Sequence, residues 1–437
     1  MAQEPYRAPR GTEDLLPEKV RIYRKLEEEA RRILEVHGYR EIRTPFFEET
    51  RLFVRSIGEV TDIVEKEMFT VSRGGESSYS FRPEGTASVV RAYLEHNFHK
   101  RRPFQKFFYI GPMFRYEKPQ KGRQRQFWQI GAEALGSSDP RLDAEMILLV
   151  LDFFERLGLR GLEARINSIG DKADRDRFRE VLKEWFRPKL DDLCPLCRDR
   201  YNRNVFRILD CKVETCKELR RGVPEFLDHL SPESLAHFEA VKKTLDMLEV
   251  PYRVDPSIVR GFDYYTHTVF EIPYEKLGAR SALCGGGRYD DLIAELGGPS
   301  LGAVGFSIGV TPTLIALEME GLLEEVSPGG RPDAFLVPIG PEQEDEGFRL
   351  AVNLRRAGFA VLFDHQGKGL RARLKLAARE RCRAALLLGE EERKRGVVKV
   401  RDLDRGEEMD VPAGPELEAR LLSLREEARA GSEEGAP

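Results

Sequence analysis

The chain lacks any long apolar run: the longest, MILLVLDFF at 146–154, is far short of the ~20 residues a membrane-spanning helix needs. Its opening segment, MAQEPYRAPRGTEDLLPEK, carries acids and prolines where a secretion signal requires an apolar stretch. Cytoplasmic residence with no membrane partner is therefore the expectation. Cysteine is scarce, six in 437 residues, which excludes a disulfide scaffold. An excess of one charge is also missing, since 33% charged residues leave a net of only −4. A polyanionic partner has to be met by local patches, not by the chain as a whole. The length suggests about two to four domains, each able to bury a core.

Two neighbouring segments stand out against this ordinary background, IVRGFDYYTHTVFE at 258–271 and CGGGRYDD at 284–291. Arg260 offers a planar, permanently charged fork for a carboxylate or phosphate, and Tyr264, Tyr265 and Tyr289 add rings with hydroxyls to donate. Together they read as a pocket for a small zwitterion and a phosphate. The glycines at 285–287 are compatible either with close backbone approach or with a plain tight turn. A P-loop is excluded because no Lys-Ser/Thr follows them.

Periodicity organises the rest. Residues 17–37 carry Val20, Ile22, Tyr23, Leu26, Ala30, Ile33 and Leu34 on one helical face, ending at Gly38. Residues 40–47 read as a strand in which Pro45 implies an edge or an interface. The β-prone segments 104–117 and 125–136 suggest an antiparallel hairpin around a mobile basic loop with Lys118, Lys121, Arg123 and Arg125. A helix is expected over 142–157, and the charged stretch 172–250 reads as an insertion. Within it, Cys194-x2-Cys197-x13-Cys211-x4-Cys216 is open to two readings, a structural zinc site or a cluster of reduced, buried thiols. After Pro328-Gly329-Gly330, alternating strands and helices predict a small α/β domain at 331–424 with a mostly parallel sheet. The tail 425–437 is expected to be disordered. Residues 367–401 hold twelve Lys or Arg against four Glu, a net of +8. That excess fits either a nucleic-acid face or a solubilising helix.

The order of signatures resembles the histidyl-tRNA synthetase family of class II aminoacyl-tRNA synthetases along nearly the whole chain. The resemblance rests on RGTEDLLP, RTPFFEET, TDIVEKEMFT, FRPEGTASVVRAYLEH, GPMFRYEKPQKGRQRQFWQIGAEALG and the two tyrosine-rich and glycine-rich segments. It implies an α+β catalytic domain on an antiparallel sheet over 1–325, with 172–250 inserted, and a C-terminal α/β anticodon-binding domain. It also implies a homodimer. The implied chemistry is activation of L-histidine by ATP, with Mg2+, to histidyl-adenylate, and transfer to tRNA(His). Arg115 and Arg260 match the arginines that flank the α-phosphate. Glu84, Thr86 and Gln129 match residues that hold the ammonium, Glu133 and Tyr265 those that reach the ring nitrogens, and Tyr264 and Tyr289 would wall the ring.

One departure matters. Where the family's third motif carries an arginine for the γ-phosphate, GFSIGVTPTLIALE at 305–318 has Thr311 and Pro312, and proline has neither charge nor donor. Arg123 and Arg125 are the nearest candidates to substitute. The alternative is a non-catalytic, histidine-sensing paralogue, the regulatory subunit of ATP phosphoribosyltransferase, or a tRNA-binding module. Retention of the anticodon domain and the histidine-specific segments favours the synthetase.

Overall fold

Tyr23, Leu26, Ala30, Ile33 and Leu34 recur at helical spacing, and the helix Pro17–Val36 buries that face against the sheet that dominates the first part of the chain. Each buried leucine or isoleucine of that face contributes roughly 1.5–3 kcal/mol by leaving water. The structure is a computed structural model that describes every residue except 1–5, 59–60, 62, 74–76, 120–121, 210, 259–263, 279–281, 327–329 and 434–437. The chain divides into two compact units, Met1–Pro328 and Gly329–Pro437.

The first unit is built on an eight-stranded sheet. Its order is Arg40–Glu41, Gln105–Phe114, Gln126–Leu135, Ala303–Gly309, Ala282–Arg288, Thr266–Pro273, Ala164–Ser168, Tyr252–Val254. The six central strands run antiparallel, and only the two edge pairings are parallel. Strand alternation separates two cores. Phe108, Ile130, Ala132 and Ala134 face the helices Pro17–Val36 and Pro140–Arg156, while Phe107, Tyr109 and Leu135 face the helix Thr86–Glu95 and the tyrosine cluster. The glycine-rich segment is the central strand Ala282–Arg288, not a tight turn.

Two expectations are corrected here. Pro45 lies between the strands Arg40–Glu41 and Phe47–Glu49 and not inside one, because it has no N–H to give a ladder. Phe47–Glu49 joins a separate three-stranded sheet with Ser77–Phe81 and Thr70–Arg73. The stretch 172–250 is not one insertion: its last helix, Pro232–Met247, places Phe238, Val241 and Leu245 in the main core. The inserted module has its own core, which ends at Phe226.

The second unit has a five-stranded sheet in the order Val361–Phe363, Ala334–Pro338, Ala384–Leu388, Val397–Asp402, Glu408–Pro412. Its first two pairings are parallel and the last two antiparallel, so the sheet is mixed. Its last helix, Pro415–Glu433, runs into the segment expected to be a disordered tail. Leu417, Leu421 and Leu424 anchor that helix in the core, and Arg425 reaches Asp333 at 2.6–2.9 Å.

Candidate active site

The segment Arg82-Pro83-Glu84-Gly85 leads into the helix Thr86–Glu95. Glu84 turns its carboxylate onto that helix's first N–H groups, accepting from Thr86 at 2.5 Å and Ala87 at 3.0 Å, where backbone donors lack intrahelical partners. Arg82 does not pair with it. That guanidinium donates to Pro112 and Thr44 and lies over the Phe46 ring. Burial raises the Glu84 carboxyl above its ordinary range, opposed by those N–H donors and by Arg115.

Across from the helix start, Glu133 rises from Gln126–Leu135 into a cage of hydroxyls. Thr86 donates to it at 2.7 Å, Tyr109 at 3.4 Å, and Tyr289 closes on its other oxygen. Among the described residues no cation pairs with it there, and burial pushes its carboxyl up to about 8 despite the hydroxyl donors. Room for this carboxylate exists because residue 305 is glycine: a Cβ there would fall 1.8 Å from a Glu133 oxygen. Gly131 makes the same allowance for the Tyr109 ring, 2.3 Å from where its Cβ would stand.

Above these groups a cavity of about 230 Å³ is lined by Glu84, Thr86, Arg115, Gln129, Tyr264, Tyr265 and Tyr289, together with Tyr109 and the strand glycines. Seven of the expected site residues thus share one cavity, with Glu133 bonded to two of its walls. Tyr264 packs against Tyr265 and Tyr289 with ring centroids 4.8 and 5.6 Å away. The Gln129 carbonyl oxygen is buried and accepts no hydrogen bond from the described residues. Such an orphan is costly unless a ligand supplies the donor. Arg115, where the strand Gln105–Phe114 ends, donates to the Pro83 carbonyl at 2.8 Å and lies over the Phe127 ring. It is the one cation among the described residues that line the cavity. Arg260 falls outside the described residues, as does Lys121.

The basic loop is held more tightly than expected. Arg115 N–H reaches the Arg125 carbonyl at 2.9 Å and Arg125 N–H reaches Gly11 at 2.6 Å, while the Arg125 guanidinium sits 3.8 Å from the centre of the Tyr116 ring. Arg123 pairs with Glu117. Neither arginine lines the cavity. Pro312 occupies the first turn of the helix Val310–Met319, directly after the cavity-lining strand Ala303–Gly309. A missing N–H costs nothing at that point. The backbone of this corner is thus in place without a guanidinium on it.

Sequence reading missed Tyr109 as a wall of the site. The signal was a glycine, Gly131, directly opposite it in an otherwise β-prone strand. Also missed was the pair Arg288 and Asp143, both with fully buried side chains. Elsewhere, Cys194, Cys197, Cys211 and Cys216 come together as expected, and they form the one group able to hold a metal among the described residues.

With this geometry in view, similarity to known proteins can be stated. A family model described as Histidyl-tRNA synthetase matches residues 11–312, and one described as Anticodon binding domain matches 333–418. A Histidine--tRNA ligase of Moorella thermoacetica is 48% identical over 404 residues, 92% of this chain and 95% of that protein. One of Desulforamulus reducens is 46% identical over 403 residues, 92% of this chain and 96% of that protein. The crystal structure of apo histidyl-tRNA synthetase from S. aureus superposes with a TM-score of 0.79 at 36% identity, over 96% of this chain and 100% of that one.

Proposed function

The chain belongs to the histidyl-tRNA synthetase family of class II aminoacyl-tRNA synthetases, and we propose that it activates L-histidine with ATP and transfers it to the 3′ end of tRNA(His). The orphaned Gln129 oxygen beside the uncompensated Glu133 carries this reading. An amino acid with an α-ammonium and a protonatable ring would supply the donors that both lack. Glu84, Thr86 and Gln129 would hold the ammonium, Glu133 and Tyr265 the ring nitrogens, and the Tyr264 and Tyr289 rings the faces of the imidazole. A substrate without both groups leaves buried polar atoms unpaired and is rejected.

The chemical step brings a carboxylate to the α-phosphate of a polyanion, so it depends on charge neutralisation and positioning. On this reading Arg115 supplies one guanidinium and Arg260 the other. Arg123 would meet the outer phosphates only after leaving the Glu117 carboxylate, and Arg125 only after its guanidinium leaves the Tyr116 ring. Glu84 and Glu133 are engaged by N–H and O–H donors and build no magnesium site by themselves, so magnesium enters as the counter-ion of ATP. The four cysteines take no part in the chemistry, and any metal they hold would be structural.

The regulatory alternative would need neither adenylate formation nor an anticodon-binding domain, and the match over 333–418 favours the synthetase. A homodimer is part of the proposal, supported by the apolar surface of Phe46, Phe47, Val71 and Tyr79, each 40–55% exposed. The deciding measurement is histidine-dependent pyrophosphate exchange. Exchange with ATP and magnesium is expected, followed by charging of tRNA(His). Folded protein that binds histidine without exchange would overturn the reading in favour of the sensor.

A further inference from the structure

We propose that Cys194, Cys197, Cys211 and Cys216 bind one zinc ion, and that this metal, more than apolar burial, holds the inserted module together. The inference is independent of the synthetase reading, since none of the four cysteines lines the histidine cavity.

The size of the cluster selects the ion. All four sulfurs lie within 4.8 Å of one another, and those of Cys194 and Cys211 are 3.9 Å apart. A tetrahedron with Zn–S bonds of about 2.3 Å sets its sulfurs about 3.8 Å apart. Disulfides would need roughly 2.05 Å, and an iron–sulfur cluster, with several metal atoms between its thiolates, would hold them farther apart. All four ligands being thiolates also suits zinc better than a hard cation.

The ligands come from separate short elements. Cys194 precedes the helix Pro195–Arg203 and Cys197 lies in its first turn. Cys194 O accepts from Cys197 at 2.9 Å and from Arg198 at 3.0 Å, which folds this pair into a knuckle. Cys211 follows the turn Val205–Ile208, and Cys216 sits in the helix Glu214–Leu219. The Cys194 N–H donates to the Cys216 sulfur at 3.4 Å, the kind of outer hydrogen bond that supports a thiolate ligand.

Energetics point the same way. The module's core has ten buried side chains, and three of them are cysteines of the cluster. A core that small, without a sheet of its own, needs a staple. Charge is complementary too: residues 194–221 hold eight Lys or Arg against four Asp or Glu, a net of +4, which offsets the excess negative charge of a zinc tetrathiolate.

The test uses the full-length chain purified without chelators. Elemental analysis should give one zinc per chain, and exchange for cobalt should produce thiolate-to-cobalt charge-transfer absorption that is absent in Cys211→Ser. Stripping the metal should expose 194–221 to protease while histidine-dependent exchange stays within about twofold. A folded chain with four titratable thiols and no metal, with disulfides, or with iron overturns the proposal. So does a metal-free chain as protease-resistant as the loaded one. If Cys211→Ser fails to fold, metal content and the cobalt spectrum of the unaltered chain decide. A chain that holds zinc but shows no exchange sinks the synthetase reading alone.

Discussion

Two fully buried carboxylates belong to the same sheet unit of this protein and have opposite fates. Asp143 meets the Arg288 guanidinium through two of its nitrogens, with further contact from His237 at 3.4 Å. Arg288 also donates to the Ser137 and Asp139 carbonyls and to Asp290 at 3.0–3.1 Å. Against the opposition of burial, the charge and hydrogen bonds of Arg288 hold Asp143 well below the usual carboxylate range. Glu133 is as deeply buried, but its partners among the described residues are hydroxyls and the charge of Glu84 works against its own, so burial raises it to about 8. Arg288 and Tyr289 are consecutive residues, one closing the structural pair and the other touching the functional carboxylate. A paired charge is a tie between helix and sheet, whereas an unpaired one is a vacancy that a cationic ligand can fill.

The largest effect should come from breaking the compensated side. Asp143→Asn leaves the buried Arg288 with only the partly exposed Asp290 as counter-charge and should cost about 3–5 kcal/mol in denaturant unfolding. A loss under ~1 kcal/mol would show that water or Asp290 already relieves that charge.

The uncompensated side should behave in reverse. Glu133→Gln should lower kcat/KM for histidine by on the order of 10²-fold, since a charged hydrogen bond of roughly 1.5–3 kcal/mol is lost. Stability at neutral pH should not fall. The native state keeps a proton on Glu133 between the ordinary glutamate range and about pH 8, while the unfolded chain has released it. This contribution is complete below the unfolded pKa and is lost as pH rises through the window, by roughly 1.4 kcal/mol per unit where one extra proton is held. Glu133→Gln should flatten that slope in ligand-free protein, and an unchanged slope would assign it to another group. Asp143 has the opposite sign: its contribution is present above the ordinary aspartate range and lost in acid.

The smallest effect belongs to Tyr289→Phe, which removes one hydroxyl from the Glu133 cage. About 1 kcal/mol is expected, read as a higher KM for histidine with thermal stability nearly unchanged. A larger loss of stability than of histidine affinity would make Tyr289 a packing residue.

Much of the site was legible because its residues recur at strand and helix periods inside long signatures. Gln129 and Glu133 share one face of a strand, and Glu84 and Thr86 stand at a helix start. Arg288 and Asp143 were not legible, being 145 positions apart, and no local pattern distinguishes a buried arginine from an exposed one. In the basic run 367–401 the pairing of the charges was not legible, for a related reason. Its charge was visible, but Arg373 turns out to be buried against Asp364 and Glu344, while Arg395, Lys399 and Arg401 pair with Asp410, Glu392 and Glu408.

The sequence by itself determined which groups are available: the alternation that divides the sheet into two faces, four thiols at metal spacing, and proline at 312 where a guanidinium is absent. Only the tertiary structure decided which carboxylate stays charged. Ionisation free energy depends on burial and on the distance to the nearest opposite charge, and in this protein both are set by strand pairings between residues far apart in the chain.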